Sequence, residues 1–303
     1  MSLVELDLAT VRANRRGIVT MCAAMAVFIV NDAIVKHVSE SLGGGQLIFL
    51  RGLFATLLIL ATARAMGLLG KPAQYLSGPV LLRAAVDAVA TFTYLTALFN
   101  MPIANVTAIN LASPLILTAM AVVVLKELVG WRRWSAIFVG FLGVLLVIQP
   151  TAEGFNIHAL VALAATLMHA ARDLVTRRIP AAVPSLVPTL VTAIVVCLLA
   201  GGISLVEGWR PVAPRHVAFL LMASIFLAVG YYLIIDAMRH GEMSLVGPFR
   251  YTGLLWALLL GYFIWGDVPN LAASLGIVLL IGSGLYTLHR ERIRAREARH
   301  GQG

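Results

Sequence analysis

Residues 97–127 read ALFNMPIANVTAINLASPLILTAMAVVVLKE, and residues 237–267 read AMRHGEMSLVGPFRYTGLLWALLLGYFIWGD. At a constant offset of 140 positions Ala97 meets Ala237, Val106 meets Val246 and Leu115 meets Leu255. The acid that ends each apolar run, Glu127 or Asp267, falls in the same register. Both stretches consist of a short polar turn, an apolar helix interrupted near its middle by proline or polar residues, and an acid. Earlier in each half, at an offset of 141, Ala23-Ala24 meets Ala164-Ala165, Asp32 meets Asp173 and Lys36 meets Arg177. Two nearly equal offsets in separate parts of the chain argue for a duplicated unit.

Composition decides the solvent of that unit. Hydrophobic residues make up 60% of the 303 positions and charged residues 12%, with a mean hydropathy of +0.92; soluble domains carry about 25% charged residues. So few charges cannot cover a soluble surface, and lipid must surround most of the chain. Spanning the hydrocarbon takes roughly 20 helical residues, because every backbone polar group must be satisfied within its own segment. On that ruler ten spans fall at 17–38, 46–65, 79–99, 103–125, 132–150, 155–176, 185–206, 215–238, 243–264 and 270–289. Connections such as Asn100-Met101-Pro102 are short, so consecutive spans are antiparallel neighbours. The polar segment 1–16 precedes a run too long for a signal-peptide core, and we read it as retained.

Lysine and arginine set the orientation. With a cytoplasmic N-terminus, that side holds 16 of the 23 and the opposite side only Lys36, Arg210 and Arg215. Arg51, Arg83, Arg172 and Arg250 fall within spans. Both termini are therefore expected in the cytoplasm, with 290–303 a basic tail that anchors topology. The net charge of +9 follows from this asymmetry; without an aromatic-interleaved basic patch it does not indicate nucleic acid.

Five is an odd number, so a duplicated five-span unit is inserted upside down relative to the first. The expected fold is all-α and integral to the membrane: ten helices as two inverted five-helix repeats, 17–150 and 151–289. Inverted repeats are a recurrent plan of secondary transporters, with substrate bound near the midplane beside discontinuous helices. The breaks here are Asn110, Ser113 and Pro114 in the fourth span and Gly247-Pro248 in the ninth. A proline withholds a backbone donor and frees carbonyls that a lone lipid-facing helix struggles to satisfy.

The ten spans resemble a known group. Each half closes on an acid followed by a small residue and a glycine-bearing last helix (Glu127, Ala136, Gly140 and Gly143; Asp267, Gly276, Gly282 and Gly284). This pattern resembles the drug/metabolite transporter superfamily and, within it, the bacterial EamA-type ten-helix transporters, most of all the aromatic amino-acid exporters. Asp267 in place of glutamate and Ala136 in place of glycine depart from the usual motif. The resemblance implies secondary transport by alternating access across the inner membrane, export of small amphipathic metabolites such as aromatic amino acids, and no cofactor. Another small metabolite or drug, or a lipid or polyprenyl-phosphate headgroup, remains open as the cargo.

Ionisable groups in spans need a partner or a wet cavity. Arg83 and Asp87, four apart, are expected to pair with each other; Asp236 is expected to pair with Arg239 or His240, and Asp32 with Lys36. Asp173 has Arg172, His169 and Arg177 within a turn. Asp32 and Asp173 are also candidates for gating or coupling, as are Pro114 and Pro248. Arg51, close to the outer surface, can snorkel or gate. Arg250 follows the ninth-span break, and its planar guanidinium suits a bidentate grip on a carboxylate. Trp131, Trp134, Trp209 and Trp265 mark span ends. Trp256, with Phe92, Tyr94, Tyr231, Tyr232, Phe249 and Tyr251, is the candidate wall for a flat ring, opposite Asn105, Thr107, Asn110 and Ser113.

Other classes lack their residues. The sequence has no HExxH, no aspartate-rich phosphate or metal motif and no nucleophile elbow, so no catalytic or metal-binding set is assigned. Gly43-Gly44-Gly45 lacks the lysine and hydroxyl residue of a P-loop, which argues against ATP. Cys22 and Cys197 lie apart inside apolar runs as packing residues. The expected partners are a small-molecule substrate and the bilayer; a monomer is compatible with the plan.

Overall fold

The computed structural model describes residues 3–68, 77–125, 131–149, 156–176, 178–180, 182–184, 186–240 and 246–300. Its elements in order are α1 (Leu3–Ser39), α2 (Gly44–Ala65), α3 (Gly78–Asn100), α4 (Ile103–Asn110), α5 (Ser113–Leu125), α6 (Trp131–Ile148), α7 (Ile157–Thr176), α8 (Leu186–Glu207), α9 (Pro214–His240), a 3-10 segment (Gly247–Tyr251), α10 (Thr252–Trp265) and α11 (Leu271–His300). Among the described residues seven helices are long and apolar enough to cross a membrane, the α4–α5 pair counting as one. The shorter α6, the 3-10 segment with α10, and α11 complete the ten spans. Glu127 and Glu242 lie outside the described residues.

Two boundaries differ from the sequence expectation. The polar start is helical from Leu3, and α11 continues through the basic tail to His300. Neither extension contains a glycine or proline to stop a helix already nucleated in the span. Within spans, hydroxyls are satisfied locally: Thr93, Thr96, Thr118, Thr166, Thr176 and Thr287 each donate to the carbonyl four residues back. That bond lets threonine sit in an apolar helix without a lone donor.

Packing repeats between the halves. Among the most extensive contacts are α1 on α9 and, in the exchanged halves, α7 on α3. The pair α3–α8 has its counterpart in α9–α2, and α5–α7 in α10–α1. The contacts α2–α8 and α6–α11 map onto themselves, and the fourth span meets the ninth through α4 and α10. Exchanging the halves leaves this pattern unchanged, as the inverted five-helix plan requires.

Both expected breaks are present. In the fourth span, Ala112 N–H turns to Ile109 O at 3.1 Å and Leu115 N–H to Ala112 O at 3.0 Å, so the ladder tightens into 3-10 turns at Leu111-Ala112. Pro114 has no N–H to offer Asn110 O. In the ninth span the 3-10 segment runs straight into α10. The far end of α10 stops at Gly266, whose φ of 71° is left-handed and whose N–H closes on Tyr262 O at 2.9 Å, an arrangement that favours glycine.

The last helices of the halves meet through small residues. A Cβ at Gly143 would stand 2.7 Å from Gly276 O, and one at Gly276 would stand 2.5 Å from Gly143 O. The missing side chains let α6 and α11 approach backbone to backbone. Gly284 admits the ring of Tyr251, which is 7% exposed.

Candidate functional site

The face opposite the chain termini is closed by polar ties between the halves. Gln46, fully buried, donates from Nε2 to Arg210 O at 2.9 Å and accepts Arg210 N–H at 3.0 Å. Gly45 N–H donates to Glu207 Oε2 at 2.8 Å. Trp265 Nε1 donates to Glu40 Oε1 at 3.0 Å, and Gln149 and Asn270 exchange side-chain amide bonds. The missing side chain of Gly45 allows its close approach to α8: a Cβ at that glycine would meet Ile203 at 2.8 Å.

Lys36 belongs to this layer and does not pair with Asp32. Its Nζ donates to Leu98 O at 2.9 Å and Met101 O at 2.6 Å and lies 5.5 Å from the Trp265 ring centroid. The carbonyls at a helix C-terminus are unpaired and partially negative, so the lysine is drawn to the end of α3 rather than back along its own helix.

Between this layer and the terminal face, a cavity of about 160 Å³ opens at the seam of the halves. Its wall comes from α2, α3, α7, α8 and α9, and its polar groups are Arg51, Arg83, Asp87, His169, Arg172 and Tyr231, with Thr91, Thr189 and Thr192. Arg172 is the central cation: it meets Asp87 at 2.9 Å and Asp173 at 2.9 Å. Asp87 is thereby shared across the seam. Arg83 stands 3.6 Å from Asp87 and also donates to Thr192 Oγ1 at 3.0 Å and Thr176 Oγ1 at 3.1 Å. The expected Arg83–Asp87 pair is thus the longer arm of a network whose short arm comes from α7. A guanidinium with five donors spreads over several acceptors.

Arg51 turns into this cavity rather than snorkelling outward. Asp32 accepts from Tyr94 Oη at 2.7 Å and from Asn31 Nδ2 at 2.8 Å. Tyr94 stacks obliquely on His169 at 5.8 Å, and His169 Nδ1 is 2.8 Å from Asn110 Oδ1, beside the fourth-span break. Thr107 Oγ1, buried, lies next to Tyr94 without full hydrogen-bond geometry. Asp236 pairs with Arg16 through two bonds of 2.8 and 3.1 Å, a partner on α1 where one on its own helix was expected. The side chains of Arg239 and His240 lie outside the description.

The candidate ring wall is dispersed. Tyr231 lines the cavity and packs edge-on against Phe28 at 5.3 Å. Tyr232 and Trp256 are exposed, Tyr251 is buried under α11, and Phe249 packs in a small cluster with Met21, Ala237 and Val246. Phe92 packs on the main core. Ser113 and Pro114 begin α5, and Pro248 lies within the 3-10 segment. Arg250 is exposed on that segment, feels Asp173 and Arg172 electrostatically, and makes no hydrogen bond or ion pair among the described residues. Thr192 and Gln46 were not singled out from sequence. Thr192 carried a signal, since it stands 141 positions after Arg51. Gln46 carried another, as an amide inside an apolar run needs a dedicated partner. No group of three or more His, Cys, Asp or Glu residues able to hold a metal occurs among the described residues.

The chain is 26% identical over 244 residues to a riboflavin transporter of Rhizobium johnstonii, covering 80% of each chain. It is 22% identical to an S-adenosylmethionine uptake transporter of Rickettsia prowazekii, covering 91% of this chain and 93% of the relative. It is 23% identical to a pseudopaline exporter of Pseudomonas aeruginosa, covering 88% and 94%. A solved crystal structure superimposes with a TM-score of 0.62 at 17% identity over 92% of this chain and 99% of the other, which supports the fold. The chain is a multi-pass membrane protein of a transporter family, and not an enzyme. The model of the EamA-like transporter family matches it twice, over residues 15–149 and 156–288, and the chain belongs to that family.

Proposed function

We propose that this chain exports small amphipathic metabolites bearing a carboxylate and a flat ring, aromatic amino acids first, across the bacterial inner membrane by alternating access. The observation that carries the reading is the cavity at the seam, whose wall holds Arg51, Arg83 and Arg172 with one lining carboxylate, Asp87, beside the Tyr231 ring. Cations exceed anions on that wall, so a ligand carboxylate finds complementary charge in a site shielded from bulk water. Both termini are cytoplasmic in this reading, and the two halves, 17–150 and 151–289, rock about the breaks at Pro114 and Pro248. The cavity lies on the cytoplasmic side of the closed layer, the side from which an exporter loads. Arg250 meets the incoming carboxylate on that side, and Asp32 and Asp173 are the coupling carboxylates.

Counterflow in proteoliposomes tests this. Preloading with unlabelled tryptophan or phenylalanine should accelerate entry of the labelled amino acid, whereas scrambling of fluorescent lipid without exchange would replace the proposal with a headgroup carrier. Exchange of a non-aromatic metabolite alone would keep the transporter and discard the aromatic substrate.

A further inference from the structure

The two halves hold one equivalent carboxylate in different ways. At positions 172 and 173 the guanidinium of Arg172 contacts Asp173 directly, with Nε at 3.0 Å and Nη2 at 2.9 Å. At the equivalent positions 141 residues earlier, the neutral amide of Asn31 takes the place of that guanidinium and donates to Asp32 Oδ1 at 2.8 Å. The other end of the same amide, Oδ1, accepts from Arg51 Nη1 at 3.4 Å. Asn31 is 2% exposed, so the amide is fixed between the two charges. Asp32 and Arg51 thus stand on opposite ends of one amide, and they form no ion pair among the described residues. One half contains a collapsed ion pair, and the other an ion pair held open by one amide.

An open pair of opposite charges in a weakly screened interior is costly when empty and gains most from a ligand that brings both complementary charges at similar spacing. Capacity remains on both groups. Among the described residues Asp32 accepts only from Tyr94 Oη and Asn31 Nδ2, and a carboxylate has about four acceptor sites. Among the described residues Arg51 makes one long side-chain bond, with about five donors available. Access exists as well: Arg51 lines the cavity, Asp32 is only partly buried, and Tyr94 leans on the cavity residue His169.

We propose that Asp32 and Arg51 form a receptor for the head group of a zwitterionic amino acid. Asp32 takes the α-ammonium, Arg51 takes the carboxylate, and Asn31 sets their separation. The side chain of the ligand then points down the cavity toward Tyr231 and His169. The assignment rests on the reading that the substrate is an amino acid, and it replaces general attraction by the arginine wall with recognition of both charges at once.

The test compares ligands that differ in the head group or in the ring, using the purified full chain in nanodiscs and direct binding of each compound in radiolabelled form. The set is phenylalanine, 3-phenylpropionate (no ammonium), phenethylamine (no carboxylate) and norleucine (a zwitterion without a ring). Wild type should prefer phenylalanine over both single-charge analogues. Asp32→Asn should shrink the preference for phenylalanine over 3-phenylpropionate by about tenfold or more, the scale of one charge-assisted hydrogen bond. Arg51→Gln should shrink the preference for phenylalanine over phenethylamine to a similar degree. Asp32→Glu, which keeps the charge, should recover part of the first loss and guards against a folding defect, as does the complementary readout from Arg51→Gln. Ratios unchanged in both variants, or a wild type that binds the single-charge analogues as well as phenylalanine, would overturn the receptor. Norleucine recognised through Asp32 and Arg51 without phenylalanine would keep the receptor and reject the aromatic substrate; no zwitterion recognised at all would reject both.

Discussion

Gln46 and Arg210 exchange two hydrogen bonds across the halves, the glutamine side-chain amide answering both the carbonyl and the N–H of the arginine backbone at 2.9 and 3.0 Å. Gln46 is completely buried, so its removal leaves two backbone groups of Arg210 short of partners. Gln46→Ala should lower stability by about 1–3 kcal/mol, read as a reduced melting temperature in detergent. A cysteine reporter beside the closed layer should also label faster in this variant, because the tie belongs to the seal; unchanged labelling would confine Gln46 to a packing role.

Asp87 and Asp173 share Arg172, but in different surroundings. The Asp87 side chain is 12% exposed and the Asp173 side chain 42%. Removing one partner of a buried pair strands the other charge, whereas an exposed pair contributes little. Asp87→Asn should therefore cost about 2 kcal/mol, below the full value because Arg172 keeps Asp173. Asp173→Asn should leave the melting temperature nearly unchanged. Equal losses in the two variants would show that exposure does not rank them.

Tyr94→Phe deletes a single donor to Asp32 and leaves the ring beside His169 in place. A hydrogen bond to a carboxylate is worth about 1.5–3 kcal/mol, so the variant should melt lower than wild type while Phe92→Tyr, a control elsewhere on α3, should not. The check is a thermal-denaturation series in one detergent; a Tyr94→Phe protein as stable as wild type would mean that the bond contributes nothing net.

Gly143 and Gly276 each face the other's carbonyl at a distance no Cβ tolerates. Gly143→Val or Gly276→Val should separate α6 from α11 and cost about 2 kcal/mol or more, seen as loss of monodisperse protein in size-exclusion chromatography. Gly282, with nothing near its Cβ position, should accept alanine without that loss.

Arg250 has no hydrogen-bond or ion-pair partner among the described residues, so its replacement breaks no bond described there. Arg250→Lys keeps the charge but loses the bidentate fork. Transport measured by counterflow should fall while expression and melting temperature hold; equal transport at equal expression would remove Arg250 from the substrate path.

The helical, membrane-spanning nature of the chain was decided by its residues alone. Lipid cannot satisfy backbone groups, so long apolar runs have only the helix available. Pro114 and Gly247-Pro248 mark irregular turns because proline withholds a donor wherever it falls. The 141-residue register was also legible, and it is what makes Asn31–Asp32 and Arg172–Asp173 comparable. The partners of the long charged side chains were not. Spacing along one helix suggested Lys36 for Asp32 and Arg239 for Asp236, yet Lys36 reaches the carbonyls ending α3 and Arg16 takes Asp236. Lysine and arginine extend far beyond their own helix turn, and their partner depends on which neighbouring helix end comes within reach. Packing of α1 on α9 and on α3 brings those partners together. The cavity wall has the same origin: Arg51, Asp87 and Arg172 come from three helices distant in sequence, and their convergence is a property of how the halves meet.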